Sequence, residues 1–324
     1  MVRQLTIVRI MMSLSPTSMT KSSSAIQPFQ VRQAMVALEL GPTDEKILEY
    51  LDFFTKEIPT GAAYFLHVLP KFDLLNTMME REAEALVSNY EINDEVVSRM
   101  ERKIRSRLTD DQTIHIEFDV KEGNPLEELL EDTNDVKADL VVIGQKSGVS
   151  QHGILAKNLA RKAQCNVLII PDKAKAQIRK ILVPVDFSEH SVKALRTAIA
   201  LNKELYEPAE IVCLNIYEVP NLSVYKIQKT KEQFQEMLEK DHSDAFHAFL
   251  NTHIPEQKDA VQVELICREG PGVAQYIIDY ASENEADLIV MGAKGHSQVE
   301  LLLMGSVTEK LLAINETAPT LVVK

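Results

Sequence analysis

The chain is poor in several residue patterns that would assign it a chemistry at once. Its three cysteines, Cys165, Cys213 and Cys267, form no CxxC pair and no His/Cys cluster with metal-ligand spacing, so they read as free thiols of a reducing compartment. The eight histidines are scattered, without HxxxH or HExxH, and no Ser/His/Asp or Cys/His constellation presents itself. His242, His247 and His253 read as solvent-facing residues of a polar helix, and His296 as a loop residue. There is no Gly-Lys-Ser/Thr phosphate loop and no GxGxxG turn after the first strand. No apolar run approaches the roughly 18 residues of a membrane span. Positive charge is also short: a formal charge of −13 argues against a broad nucleic-acid or anionic-membrane surface.

What is present is ordinary soluble material, 45% hydrophobic and 26% charged over 324 residues, enough for about two domains. The start, "MVRQLTIVRIMMSLSPTSMTKSSSAIQPF", has an apolar stretch broken by Arg9 and then a Ser/Thr-rich tract, without a clean signal-peptide core. Residues 1–31 therefore read as a disordered tail, and Met19 is a second candidate start.

The rest repeats itself. "ADLVVIGQKS" (138–147) matches "ADLIVMGAKG" (286–295), "KEGNP" (121–125) matches "REGPG" (268–272), and "MVALELG" (35–41) takes the place of "LVPVDFS" (182–188). The offset is about 147 residues throughout, so one domain is present twice, over 32–171 and 179–324, with a polar linker at 172–178. In the second copy, strands are expected at 180–187, 210–219, 261–270, 287–292 and 319–324. Helices are expected at 188–205, with Ser188 as N-cap, at 224–252, 273–286 and 306–314. The stretch 84–108 of the first copy is an amphipathic helix with a solvated charged face. Alternating strands and helices with continuous apolar strands predict an α/β fold: two tandem, open, parallel five-stranded sheets with helices on both faces.

In such sheets, ligands bind beyond the carboxyl ends of strands where the strand order reverses. Two strand ends in the second copy carry unusual chemistry: one reaches Asp186, the other Gly292, followed by Gly295 and the Gly305–Ser306 pair that opens a helix. A helix N-terminus binds phosphate through free N–H groups, and small residues let that backbone approach. A ligand-free reading stands beside it, since Ser306 to Glu309 spells the capping box S-x-x-E and Gly292 could be a strand-exit turn.

The pattern Gly292-x2-Gly295-x9-Gly305-Ser306, with "ILVPVDFSEHSVKAL" and the closing "PTLVVK", resembles the ATP-binding universal stress proteins over 179–324, and more weakly over 32–171. The resemblance implies a Rossmann-like fold related to the adenine-nucleotide alpha hydrolases, and a tandem chain in which the last strands, "NVLIIP" and "PTLVVK", meet as an intrachain pseudo-dimer. It implies that Pro184 and Asp186 contact adenosine, that Ile216 lines the base pocket, and that Met291, Gly292, Lys294 and Gly295 shape the ribose and phosphate approach. Gly305, Ser306, Val307 and Thr308 would hold the phosphates of ATP, with or without Mg2+. Asn215 and Lys294 depart from the usual residues at their positions.

In the first copy the aligned residues run Gly144-Gln-Lys-Ser147, nine residues, then Lys157-Asn158, with Glu39 for Asp186. A lysine at the helix mouth and a longer acid would fill the nucleotide volume, so this copy reads as a degenerate structural domain. The expected whole is a cytoplasmic, non-enzymatic stress-response regulator or protective factor binding an adenine nucleotide in its second domain, with no catalytic or metal-ligating residues. Rival readings are an interaction module that binds no nucleotide and a slow ATPase. Protein partners and pairing of whole chains stay open.

Overall fold

The structure is a computed structural model that describes residues 25–69, 82–108, 114–148, 153–219, 231–270, 272–295 and 304–324. Residues 224–230 of the helix expected at 224–252, His296, and residues 1–24 of the expected tail lie outside the described residues.

The first half runs β1 (Val31–Leu38), α1 (Thr43–Glu57), β2 (Thr60–Leu69), α2 (Glu82–Arg105), β3 (His115–Glu122), α3 (Pro125–Asp135), β4 (Leu140–Gln145), α4 (Gly153–Lys162) and β5 (Asn166–Pro171). The second repeats the scheme with β6 (Lys180–Pro184), α5 (Glu189–Glu204), β7 (Glu210–Glu218), α6 (Lys231–His253), β8 (Val261–Arg268), α7 (Val273–Glu283), β9 (Leu288–Gly292), α8 (Ser306–Ile314) and β10 (Thr320–Val323). All pairings within each half are parallel, in the order β3-β2-β1-β4-β5 and β8-β7-β6-β9-β10. The order reverses between β1 and β4, and again between β6 and β9, so each half has a crevice at those strands' carboxyl ends. Alternate side chains of the buried strands feed one apolar cluster on each face of the sheet.

The backbone repeats even in its strain. Among the described residues, four non-glycine residues have left-handed φ: Leu40 (59°) and Phe187 (63°) in the turn after each half's first strand, Lys137 (54°) and Glu285 (52°) before each fourth strand. Such torsions cost an L-residue free energy and persist only where surroundings fix them. Phe187 is fixed by aromatic packing: its ring meets Phe246 and Phe249 of α6 edge-on, with centroids 5.4 and 5.5 Å apart.

The two halves are one ten-stranded sheet. β5 and β10 pair antiparallel, with Val167 opposite Val322, Leu168 opposite Leu321 and Ile169 opposite Thr320. These strands would otherwise be apolar edges with open backbone groups. Polar contacts flank the seam: Gln145 Nε2 donates to the Leu312 carbonyl (2.8 Å), and Arg161 pairs with Glu309 (2.5 Å). The stretch read as a linker is packed rather than loose, with Ala174 and Ile178 each 5% exposed. Ile26 and Phe29, within the stretch read as tail, pack against the same core cluster. Cys213 is buried and Cys165 half-buried; burial pushes their thiols up to about 12 and about 11, so both stay protonated and unreactive at neutral pH.

Because β5 is covered only by the second half, residues 32–171 expressed alone should self-associate or aggregate through the bared Asn166–Pro171 edge. Sedimentation velocity of that fragment checks this; a well-behaved monomer would mean that the edge protects itself.

Candidate functional site

The crevice of the second half is built from four strand and helix ends. Past β6 the chain turns at Val185–Ser188. Asp186 Oδ1 accepts the Ser188 backbone N–H (3.0 Å), and the Ser188 hydroxyl oxygen accepts from the Ser191 N–H (3.2 Å), capping α5 as the sequence predicts. The other Asp186 oxygen explains Gly295: a Cβ there would lie 2.6 Å from Oδ2. Gly292 has a different reason. A Cβ on it would meet His190 Cβ at 2.7 Å and the His190 carbonyl oxygen at 2.8 Å, so glycine lets the first turn of α5 lie against the end of β9. The opening of α8 is drawn in by the Gly305 N–H, which donates to the Ala293 carbonyl (2.8 Å), and by the Thr308 hydroxyl, which donates to the Gly292 carbonyl (3.0 Å). A Cβ at residue 305 would stand 3.3 Å from the Gly295 nitrogen.

The capping box is not formed. The N-cap of α8 is Gly305, with extended torsions and no side-chain cap, so Ser306 is already the first helical residue. Glu309 turns away to Arg161 across the seam. No side chain of the cap residue therefore takes up the first N–H groups of α8, which open beside the crevice.

The crevice encloses a cavity of about 250 Å³. All eleven sequence-predicted residues line it: Pro184 and Asp186 from the turn, Ile216 from β7, Met291, Gly292, Lys294 and Gly295 from the end of β9, and Gly305, Ser306, Val307 and Thr308 from α8. Val185, Ser191, Leu214, Asn215, Val273 and Ile277 complete the wall. The last two come from α7, whose i, i+4 apolar spacing marks them as inward-facing but not as cavity-facing.

Asn215 is held on both sides. Its Nδ2 donates to the Val185 carbonyl (2.8 Å), and its Oδ1 accepts from His242 Nδ1 (3.1 Å), whose ring stacks on Tyr217 with centroids 4.6 Å apart. His242 is thus half-buried against the crevice wall, not solvent-facing as its polar helix suggested; the sequence could not show which face of α6 meets β7. His253 is half-buried as well, its ring 4.9 Å from Phe249, whereas His247 is exposed. Burial, reinforced by Lys193 and Lys294, holds His190 below the usual imidazole range and so neutral at pH 7.

The first half departs from its expected description. It has a crevice of its own, about 320 Å³, between the ends of β1, β2 and β4 and the helices α1, α3 and α4. Lys157 does not take the place of Gly305. The buried residues of α4 are Ala156, Leu159 and Ala160, those of α8 are Thr308, Leu311 and Leu312, and this register sets Gly153 opposite Gly305. The loop before α4 is the shorter one, so counting residues from Gly144 overshot by a helical turn. Glu39 lines the crevice, with its carboxylate drawn to Lys146 (2.5 Å).

The model of the universal stress protein family matches residues 30–171 and again 177–324. The universal stress protein MJ0531 of Methanocaldococcus jannaschii is 30% identical over 146 residues, covering 45% of this chain and 82% of that protein. A universal stress protein from Archaeoglobus fulgidus has the same fold over 92% of this chain and 97% of its own, with a TM-score of 0.58 at 18% identity. An Arabidopsis thaliana family protein solved with AMP bound aligns with 43% of this chain and 90% of its own, with a TM-score of 0.31 at 16% identity.

Gly292→Ala should destabilise the protein by about 1–3 kcal/mol, because the added methyl meets backbone that cannot step aside. Gly305→Ala, whose methyl meets neighbours at 3.3 Å and beyond, should cost less. Urea unfolding of the two variants checks the order.

Proposed function

The chain belongs to the universal stress protein family, and from that premise we propose that its second half binds ATP and acts as a nucleotide-responsive regulator or protective factor in a stress response. The observation that carries the reading is the meeting of an uncapped helix opening with an acid-bearing strand end around one cavity. Asp186 and the backbone around Ile216 would take the adenosine part. The first turn of α8, with Lys294 beside it, would take the phosphates through N–H groups and the positive end of the helix dipole. Thr308 would act from behind, its hydroxyl tying the helix to Gly292.

Binding rather than turnover is the better reading. Among the described residues Asp186 is the one carboxylate in the cavity lining, and its Oδ1 already accepts from Ser188. Hydrolysis calls for a positioned base for the attacking water and a means of stabilising the transferred phosphoryl group. Any Mg2+ would be held by the phosphates.

Calorimetric titration with ATP should give one site per chain. Asp186→Ala should weaken it by roughly 1–3 kcal/mol, the range for hydrogen bonds to a charged group, while the fold persists. Gly305→Lys should abolish it, since a side chain there grows into Lys294 and Gly295. Two equal sites, or undiminished binding in Gly305→Lys, would overturn the assignment.

A further inference from the structure

The crevice of the first half has the shape of a ligand site but a different chemistry. Its wall is mostly aliphatic, with Leu38, Ile47, Leu66, Val68, Leu129 and Leu155 among the residues that line it. In the loop after β4, two backbone N–H groups that an anion could use are already taken. Ser147, opposite Gly295, donates its N–H and its hydroxyl to Asp172; the N–H of Gly148 goes to Glu316 Oε1 (3.0 Å). Lys146, opposite Lys294, is paired with Glu39. Asp172 and Glu316, the latter paired with Lys173, thus take up N–H groups of the loop that would otherwise face a phosphate.

A cation fares no better. Asp44 lines the crevice and is fully buried, but its oxygens are committed to the Glu39 N–H (3.1 Å) and to Lys103 Nζ (3.3 Å). Its charge is therefore matched within the protein, and a second buried cation would lack a partner. Besides the Thr43 hydroxyl and Glu39, which is held by Lys146, the described lining offers a ring nitrogen of His67. His67, at the position of Asn215, has Nδ1 2.8 Å from the Leu38 carbonyl. A carbonyl only accepts, so Nδ1 carries the hydrogen and Nε2 is left as an acceptor on a side chain that lines the crevice.

We propose that the first half is a second, independent binding site, for a small uncharged, flat and largely apolar molecule carrying one hydrogen-bond donor for His67. At about 320 Å³ the crevice sits at the lower end of the range for small-molecule sites, about 300–1,000 Å³, which suits one or two fused rings. The apolar wall supplies the driving force, and the buried His67 acceptor sets the orientation.

The test is a titration of the full chain with indole, followed by calorimetry, with benzothiophene as the partner that keeps the shape and lacks the N–H. Indole should bind once per chain, about tenfold tighter than benzothiophene, and saturating ATP should not displace it. Val68→Trp and Leu155→Trp, at half-buried wall positions, should each weaken indole by at least about tenfold with an unchanged melting temperature. His67→Phe should erase the preference for indole over benzothiophene. No binding up to the solubility limit of indole, displacement by ATP, or full binding in both tryptophan variants would overturn the proposal. Should a variant fail to fold, the ATP competition and the indole–benzothiophene comparison on the unaltered chain still decide it.

Discussion

The antiparallel ladder between β5 and β10 is the contact on which the remaining architecture depends. Each half on its own would end in a short apolar strand with its outer backbone groups unpaired, and such an edge must be covered. Here each edge covers the other, and the two apolar clusters run through the seam without interruption. Once the strands are locked, α4 and α8 are brought together, and the flanking loops have fixed partners: Gln145 reaches the end of α8, and Glu316 reaches back to Gly148. The loop chemistry of the first half is therefore partly written in the second.

The repeated scaffold supports two differently finished crevices. Strand order, the strained turns at Leu40 and Phe187, and the switch point between first and fourth strands are common to both. The difference lies in a few side chains at the strand ends and in one loop length. In the second half, glycines at 292 and 295 make room for α5 and for Asp186, and Gly305 lets α8 open against the turn. In the first, carboxylates close the loop and aliphatic residues fill the lining.

Most of the fold was legible in the sequence because parallel strands buried on both faces read as continuous apolar runs, and the repeat confirmed each of them twice. Of the eleven residues now found around one cavity, Asp186, Gly292, Gly295, Gly305 and Ser306 were legible from strand ends and glycine spacing, and Pro184, Ile216, Met291, Lys294, Val307 and Thr308 came with the family resemblance. What escaped depends on information that spacing does not carry. The cap of α8 falls on Gly305, and Glu309, the acid of the expected capping box, is drawn across the seam to Arg161, a contact between residues far apart in sequence. The register of α4 was misplaced because only the burial of Ala156, Leu159 and Ala160 reveals the shorter loop. His242 was misread because its partners, Asn215 and Tyr217, belong to a different strand.

The direction of the seam has a geometric consequence. Strands run the same way within each half, and the halves run against each other where β5 meets β10. The carboxyl ends of β1 and β4 therefore point one way along the sheet, and those of β6 and β9 point the other. The two crevices open on opposite rims of one slab. A macromolecule seated over one mouth would leave the other in contact with solvent.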